Sequence, residues 1–82
     1  NKDLMRIKGR IIGFDGKTRN IIEERSKTFI SVYGKTISII GKTEDLKIAS
    51  DTIKMLITGS RHEIAYSFMS DKLKDRHGKF EL

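Results

Sequence analysis

Apolar residues follow two different periods along the chain, and the switch between them marks out its elements. Ile7 and Ile11 are four residues apart and Ile12 widens their stripe, while Arg6, Lys8 and Arg10 fall between them; this predicts a short helix over residues 6–12. Gly13-Phe14-Asp15-Gly16 interrupts the pattern. Helical composition resumes over 17–27, with Ile21 and Ile22 expected toward a core and Glu23, Glu24 and Arg25 toward water. From residue 28 the period drops to two: Ile30 and Val32 share one face, and Ser31 and Tyr33 share the other, as in a half-buried strand. Residues 35–40 repeat the alternation with Ile37 and Ile39 inward, and Gly34 supplies the positive φ of a tight turn, so the pair reads as a hairpin ended by Gly41.

Thr43 is placed to cap a third helix whose first turn holds Glu44 and Asp45, favourable at the positive end of the helix dipole. Leu46, Ala49, Ile53, Leu56 and Ile57 continue it at three- and four-residue spacing, and Gly59 marks its end. From His62 on, Ala65, Phe68, Met69 and Leu73 form the weaker stripe of a last helix, either core or a docking face. The segment 75–82 is charged, contains Gly78 and is expected to fray. There is no internal repeat. The order is helix, glycine loop, helix, strand, strand, helix, helix, an α+β arrangement.

The 82 residues allow one domain with a modest core, about 60% of the unfolded surface being buried at this size. No apolar run approaches the ~18 residues of a membrane-spanning helix, and no signal peptide pattern opens the chain, so no membrane partner is expected. The absence of Cys excludes a disulfide scaffold, a cysteine zinc site and a cysteine nucleophile, and fits a reducing, cytoplasmic setting. The chain begins with Asn1 instead of Met, and a longer parent protein is the expectation. A net charge of +6 makes polyanions the default partners. Its distribution narrows this: residues 1–19 hold six basic groups (Lys2, Arg6, Lys8, Arg10, Lys17, Arg19) against Asp3 and Asp15, leaving +4 in the first quarter.

That charge surrounds the glycine pair. Without Cβ atoms, Gly13 and Gly16 allow another backbone close to the loop, and Lys17 and Thr18 open a helix whose N–H groups and positive dipole end attract phosphate. Lys8, Arg10 and Arg19 flank the same place and add long-range attraction. A groove lined by isoleucines, with a phosphate clamp at one side, suits unstacked single-stranded bases better than a duplex. Plainer readings are a solvated basic face or an ordinary interhelix turn. A helix-turn-helix DNA reader also fits helix, turn, helix and positive charge, but needs neither the glycine pair nor the hairpin.

Catalytic and metal readings find little support. His62 with Glu63, and His77, lack metal-ligand spacing with other candidates and read as surface histidines. Glu23 and Glu24 are adjacent on a helix, so they read as a solvated face and not as an acid/base pair. Ser26, Ser31 and Ser60 have no evident base, so no nucleophile, cofactor or enzymatic activity is expected. Ile7, Ile11, Ile21, Ile37, Ile53 and Leu56 are the expected core, with Ile12 and Ile30 available to line the groove.

Ile11-Ile12-Gly13-Phe14-Asp15-Gly16-Lys17-Thr18, followed by helix, hairpin and helix, resembles a KH domain of the eukaryotic, type I arrangement over about residues 6–59, with 60–82 as a helical extension. Gly9-Arg10-Ile11-Ile12-Gly13, Gly16-Lys17-Thr18-Arg19, Ile21-Ile22-Glu23-Glu24, Ser31-Val32-Tyr33-Gly34-Lys35-Thr36 and Ile39-Ile40-Gly41 resemble more narrowly the second KH domain of the archaeal rRNA-processing KH protein. The segment Gly59-Ser60-Arg61-His62, with Tyr66 after it, resembles that family's stretch beyond the third helix.

The resemblance implies single-stranded RNA binding near the 3′ end of small-subunit rRNA during ribosome assembly. It also implies an upstream KH domain in the same protein, ribosome-assembly partners including, in the eukaryotic counterpart, the endonuclease that trims that end, and a cytoplasmic or, in a eukaryote, also nuclear and nucleolar location. The RNA contacts implied are Lys8, Gly9, Arg10, Ile12, Gly13, Phe14, Asp15, Gly16, Lys17, Thr18, Arg19 and Ile30, spanning about four nucleotides. Replacing Gly13 and Gly16 together by Asp is expected to remove RNA binding and leave the fold intact.

The chain departs from the family pattern in places. Phe14-Asp15 stands where KH loops usually carry basic or small residues; an acid there repels phosphate by about 1 kcal/mol at 4 Å in bulk water, while the Phe14 ring offers a base stacking worth about 1–3 kcal/mol. Arg19 replaces an aliphatic residue common in KH domains at large, and Arg61-His62-Glu63 replaces a frequent Pro-His-Gly. The first strand of a type I sheet is not visible before Arg6, so the sheet is a hairpin alone or its strand lies upstream. The competing reading is a degenerate KH domain, weakened by Asp15, that serves as a protein-interaction adaptor through its last helix.

Overall fold

The computed structural model of the chain describes residues 2–76. Helix α1 spans Lys2–Ile12, a single 3-10 turn follows over Phe14–Gly16, and α2 spans Lys17–Ser26. The strands β1 (Phe29–Tyr33) and β2 (Thr36–Ile40) form an antiparallel hairpin, and α3 (Thr43–Ile57) and α4 (His62–Arg76) complete the fold. The α+β order matches that expected from the hydrophobic periods. His77 and Gly78 lie outside the described residues, as does most of the charged end.

Helix α1 starts four residues earlier than the Ile7/Ile11 stripe suggests. Leu4 extends that stripe by one turn toward the N-terminus, and Asp3 stands in the first turn, where a carboxylate favours the positive helix end. Residues 2–5 are therefore helical, and among the described residues the sheet has two strands.

The hairpin register pairs Phe29 with Ile40, Ile30 with Ile39 and Tyr33 with Thr36, closing on the two-residue turn Gly34-Lys35. This alternation puts Ile30, Val32, Ile37 and Ile39 on the face that packs against the helices. Phe29, Tyr33 and Ile40 lie on the opposite, exposed face. Glu23 does not belong to a purely solvated surface: its carboxylate accepts a hydrogen bond of 2.6 Å from the Ile30 N–H and occupies a donor on the edge of β1 that β2 does not use.

One core runs through the molecule. Ile11 of α1, Ile22 of α2, Ile30 of β1, Ile48, Ala49, Ile53 and Leu56 of α3, and Ala65 and Met69 of α4 are all buried in it. Ala65 and Met69 are fully buried, so these members of the α4 stripe are core and not an open docking face. Helix α4 thus packs into the same core as the elements before it.

Helix α3 ends as its sequence suggests. Gly59 N–H donates to the Leu56 carbonyl and Ser60 N–H to the Met55 carbonyl, a Schellman arrangement. Its start differs from expectation: Lys42 occupies the cap position without a side-chain cap hydrogen bond, and Thr43 is already helical.

Candidate nucleic-acid interface

Gly13 and Gly16 make the loop between α1 and α2 possible. Both have positive φ, 77° and 73°, and Asp15 between them sits in the left-handed region at φ 53°. Asp tolerates that region better than most residues, and Phe14 avoids it. The loop is tied internally: Gly13 N–H donates to the Gly9 carbonyl at 2.8 Å, Gly16 N–H to the Gly13 carbonyl at 3.2 Å, and Lys17 N–H to the Phe14 carbonyl. The Lys17 N–H is consequently engaged within the loop, and the phosphate-attracting N–H groups expected there belong to the rest of the first turn of α2.

The two glycines differ in what surrounds them. A Cβ at Gly13 would lie 2.2 Å from the Thr18 hydroxyl oxygen and 2.8 Å from the Thr18 backbone nitrogen. Thr18 is buried against the loop and acts as its support, its side chain closed to a ligand. The expectation that both glycines accept Asp with the fold intact fails at Gly13. A Cβ at Gly16 meets only the Arg19 guanidinium, 3.9 Å away, which places Arg19 beside the loop.

Around this frame the side chains sort into two groups. Phe14 is 85% exposed, Asp15 and Lys17 are exposed, and Arg19 is half-buried next to Gly16. Lys8 is half-buried on α1, Gly9 is exposed there, and Ile12 is half-buried outside the core set. These residues form a strip from α1 through the loop to the start of α2.

Arg10 and Ile30 leave that strip. Arg10 is half-buried, its Nε donates to the Leu56 carbonyl at 2.8 Å, and its guanidinium also donates to the Ser60 carbonyl. A cation at the carbonyl end of a helix satisfies acceptors that lack helical partners and opposes the negative dipole end. Arg10 is thus a clamp from α1 onto the end of α3 and not a free phosphate contact. Ile30 is 5% exposed, in the core, and does not offer its side chain to bases.

His62 and Tyr66 make three further contacts, of which only the i,i+4 pair between their rings is legible from spacing. His62 is half-buried; its Nε2–H donates to the Arg10 carbonyl at 3.0 Å, and its ring meets Tyr66 edge-on with centroids 6.1 Å apart. The Arg25 guanidinium lies 5.9 Å from the Tyr66 ring centroid. His62 therefore joins α4 to the end of α1 and is not a plain surface histidine. Residues 10 and 62 are far apart in sequence, so no local pattern signals the pair.

The family model for the second KH domain of PNO1, described as a eukaryotic-type KH domain (KH-domain type I), matches residues 1–74. A KH domain-containing protein of Methanocaldococcus jannaschii is 37% identical over all of this chain, which spans 37% of that protein. The pre-rRNA-processing protein pno1 of Aspergillus fumigatus is 46% identical over 70% of this chain and 23% of its own length. A chain of the a/eIF2alpha–aDim2p–rRNA complex of Pyrococcus horikoshii OT3 superposes with a TM-score of 0.85 at 47% identity, covering 88% of this chain and 41% of that one. The chain thus spans less than half the length of these relatives.

Proposed function

Since the chain belongs to the family of second KH domains of PNO1, eukaryotic-type KH domains of type I, we propose that it binds single-stranded RNA through the loop between α1 and α2. The proposed ligand is rRNA, near the 3′ end of the small-subunit molecule, during ribosome assembly, in the cytoplasm and, for a eukaryotic chain, the nucleus and nucleolus. The observation that carries this reading is the 13–16 loop: two glycines at positive φ give a backbone surface open to a strand, directly before a helix start flanked by Lys17 and Arg19. The positive end of α2 receives a phosphate, Lys17 and Arg19 neutralise it, and Lys8 extends the attraction along α1. Gly9 and Ile12 offer the strand a smooth, partly apolar wall. The rRNA complex of a related chain supports the choice of ligand. The module recognises and positions RNA, and chemistry on that RNA is left to a partner.

Gly16→Asp tests this. The site has open space and Asp accepts a left-handed backbone, so the fold persists while a second carboxylate enters the phosphate path. Titration of a short single-stranded RNA should show affinity falling by roughly tenfold or more. Unchanged affinity in the folded variant would overturn the loop assignment.

A second reading is favoured by one specific observation. Phe29, Tyr33 and Ile40 are 73%, 84% and 68% exposed on one face of the hairpin, a surface suited to a protein partner such as the upstream KH domain or a ribosome-assembly protein. This moves the adaptor surface from α4 to the sheet. The two readings differ in salt dependence, steep for phosphate contacts and shallow for an apolar face.

A further inference from the structure

We propose that Phe14 is the base-recognising residue of the loop: its ring stacks on a nucleobase of the strand whose phosphate sits at the start of α2, and this gives the module a preference for purines. The inference rests on the RNA-binding reading of the loop. Phe14 is 85% exposed, the most exposed of the large apolar side chains among the described residues. It takes no part in the core, and the ring contacts among those residues involve other aromatics. Among the described residues no core or ring contact accounts for a phenyl ring in water at this point.

The backbone beneath the ring is fixed. Gly13 and Gly16 are hydrogen-bonded on either side of it, its own carbonyl accepts from the Lys17 N–H, and Thr18 closes against Gly13. Ordering the ring on a ligand therefore restricts only two side-chain torsions, which keeps the entropic cost of stacking low.

The surroundings select the occupant. Exposed Lys17 and the Arg19 guanidinium beside Gly16 draw a polyanion to the loop, whereas an apolar protein segment gains nothing from them. Asp15, next to the ring, enters no hydrogen bond or ion pair among the described residues. Its carboxylate disfavours a second phosphate at the tip, so the strand meets the helix start with a phosphate and the loop tip with a base. Stacking accepts any base through its π-face, and the larger purine surface buries more apolar area against the ring.

The test compares the wild-type chain with Phe14→Ala, Phe14→Leu, Phe14→Trp and Gly16→Asp by fluorescence anisotropy on labelled single-stranded A-rich and U-rich oligoribonucleotides. Circular dichroism melting should show all three Phe14 variants folded like the wild type, because the ring has no internal contact to lose. Wild type should favour the A-rich strand. Phe14→Ala and Phe14→Leu should weaken its binding by about 5- to 150-fold and flatten the preference, while Phe14→Trp retains both. If Phe14→Ala and Phe14→Leu bind as wild type while Gly16→Asp loses binding, stacking is overturned and the loop reading stands. If Gly16→Asp also binds as wild type, the loop reading fails and stacking fails with it. Loss of affinity in Phe14→Leu without loss of the A-rich preference would overturn the purine assignment.

Discussion

Arg10 and Lys17 flank the same loop and carry the same charge, but only Lys17 is free to meet a ligand. The Arg10 guanidinium donates to the carbonyls of Leu56 and Ser60, while the exposed Lys17 ammonium has no ion pair among the described residues. Arg10→Ala removes a charged donor from two carbonyls at the end of α3 and should destabilise the fold by about 2 kcal/mol. In a domain of this size that lowers the melting temperature by about 8–16 °C. RNA affinity of the folded variant should stay close to wild type; a selective loss of affinity with an unchanged melting temperature would contradict the clamp. Gly13 and Gly16 divide in a similar way. Gly13→Ala forces a Cβ against Thr18 at a positive-φ position and should cost about 1–3 kcal/mol by urea denaturation, whereas at Gly16 the added atom meets open space and bears the backbone strain alone. The sequence marks both as glycines of one loop, but the Thr18 contact that separates them exists only once α2 has folded back.

At the scale of elements, α1 is the one that mixes structural and binding roles. Ile11 is buried in the core, Ile12 is half-buried outside it, and Gly9 lies exposed in the helix interior, with open space where a side chain would begin. Glycine there lowers helix stability, so Gly9→Ala should raise stability by about 0.5–1 kcal/mol in urea denaturation. The added methyl group should also weaken RNA binding, because it stands on the wall along which the strand runs; RNA binding unchanged by it would remove Gly9 from the interface. The elements themselves are largely legible in the sequence. Period-two alternation places Ile30, Val32, Ile37 and Ile39 on the inward face of the hairpin, and Gly59 marks the Schellman end of α3. What is not legible depends on contacts between elements. Glu23 reads as solvated until β1 presents the Ile30 N–H to it. Arg10 reads as a phosphate ligand until α3 brings its carbonyl end alongside α1. Ile30 reads as a groove residue that cradles bases until the packed helices place it in the core.

At the scale of the molecule, one core joins all four helices and the hairpin, and the basic strip lies at the surface where α1 meets α2. No helix among the described residues is long and apolar enough to cross a membrane. The chain's net charge of +6 is concentrated in its first quarter, which also holds the loop, so electrostatic attraction and the proposed contact coincide. The exposed Phe29, Tyr33 and Ile40 are on the hairpin, an element separate from the one that carries the loop. The most direct test of the account is the salt dependence of binding to a short single-stranded RNA. If the helix start with Lys17 and Arg19 takes one phosphate and Lys8 a second along α1, the logarithm of affinity should fall with the logarithm of salt at a slope of about −1.4, and Gly16→Asp should make it shallower. A flat response, the same in wild type and variant, would contradict RNA recognition by this loop.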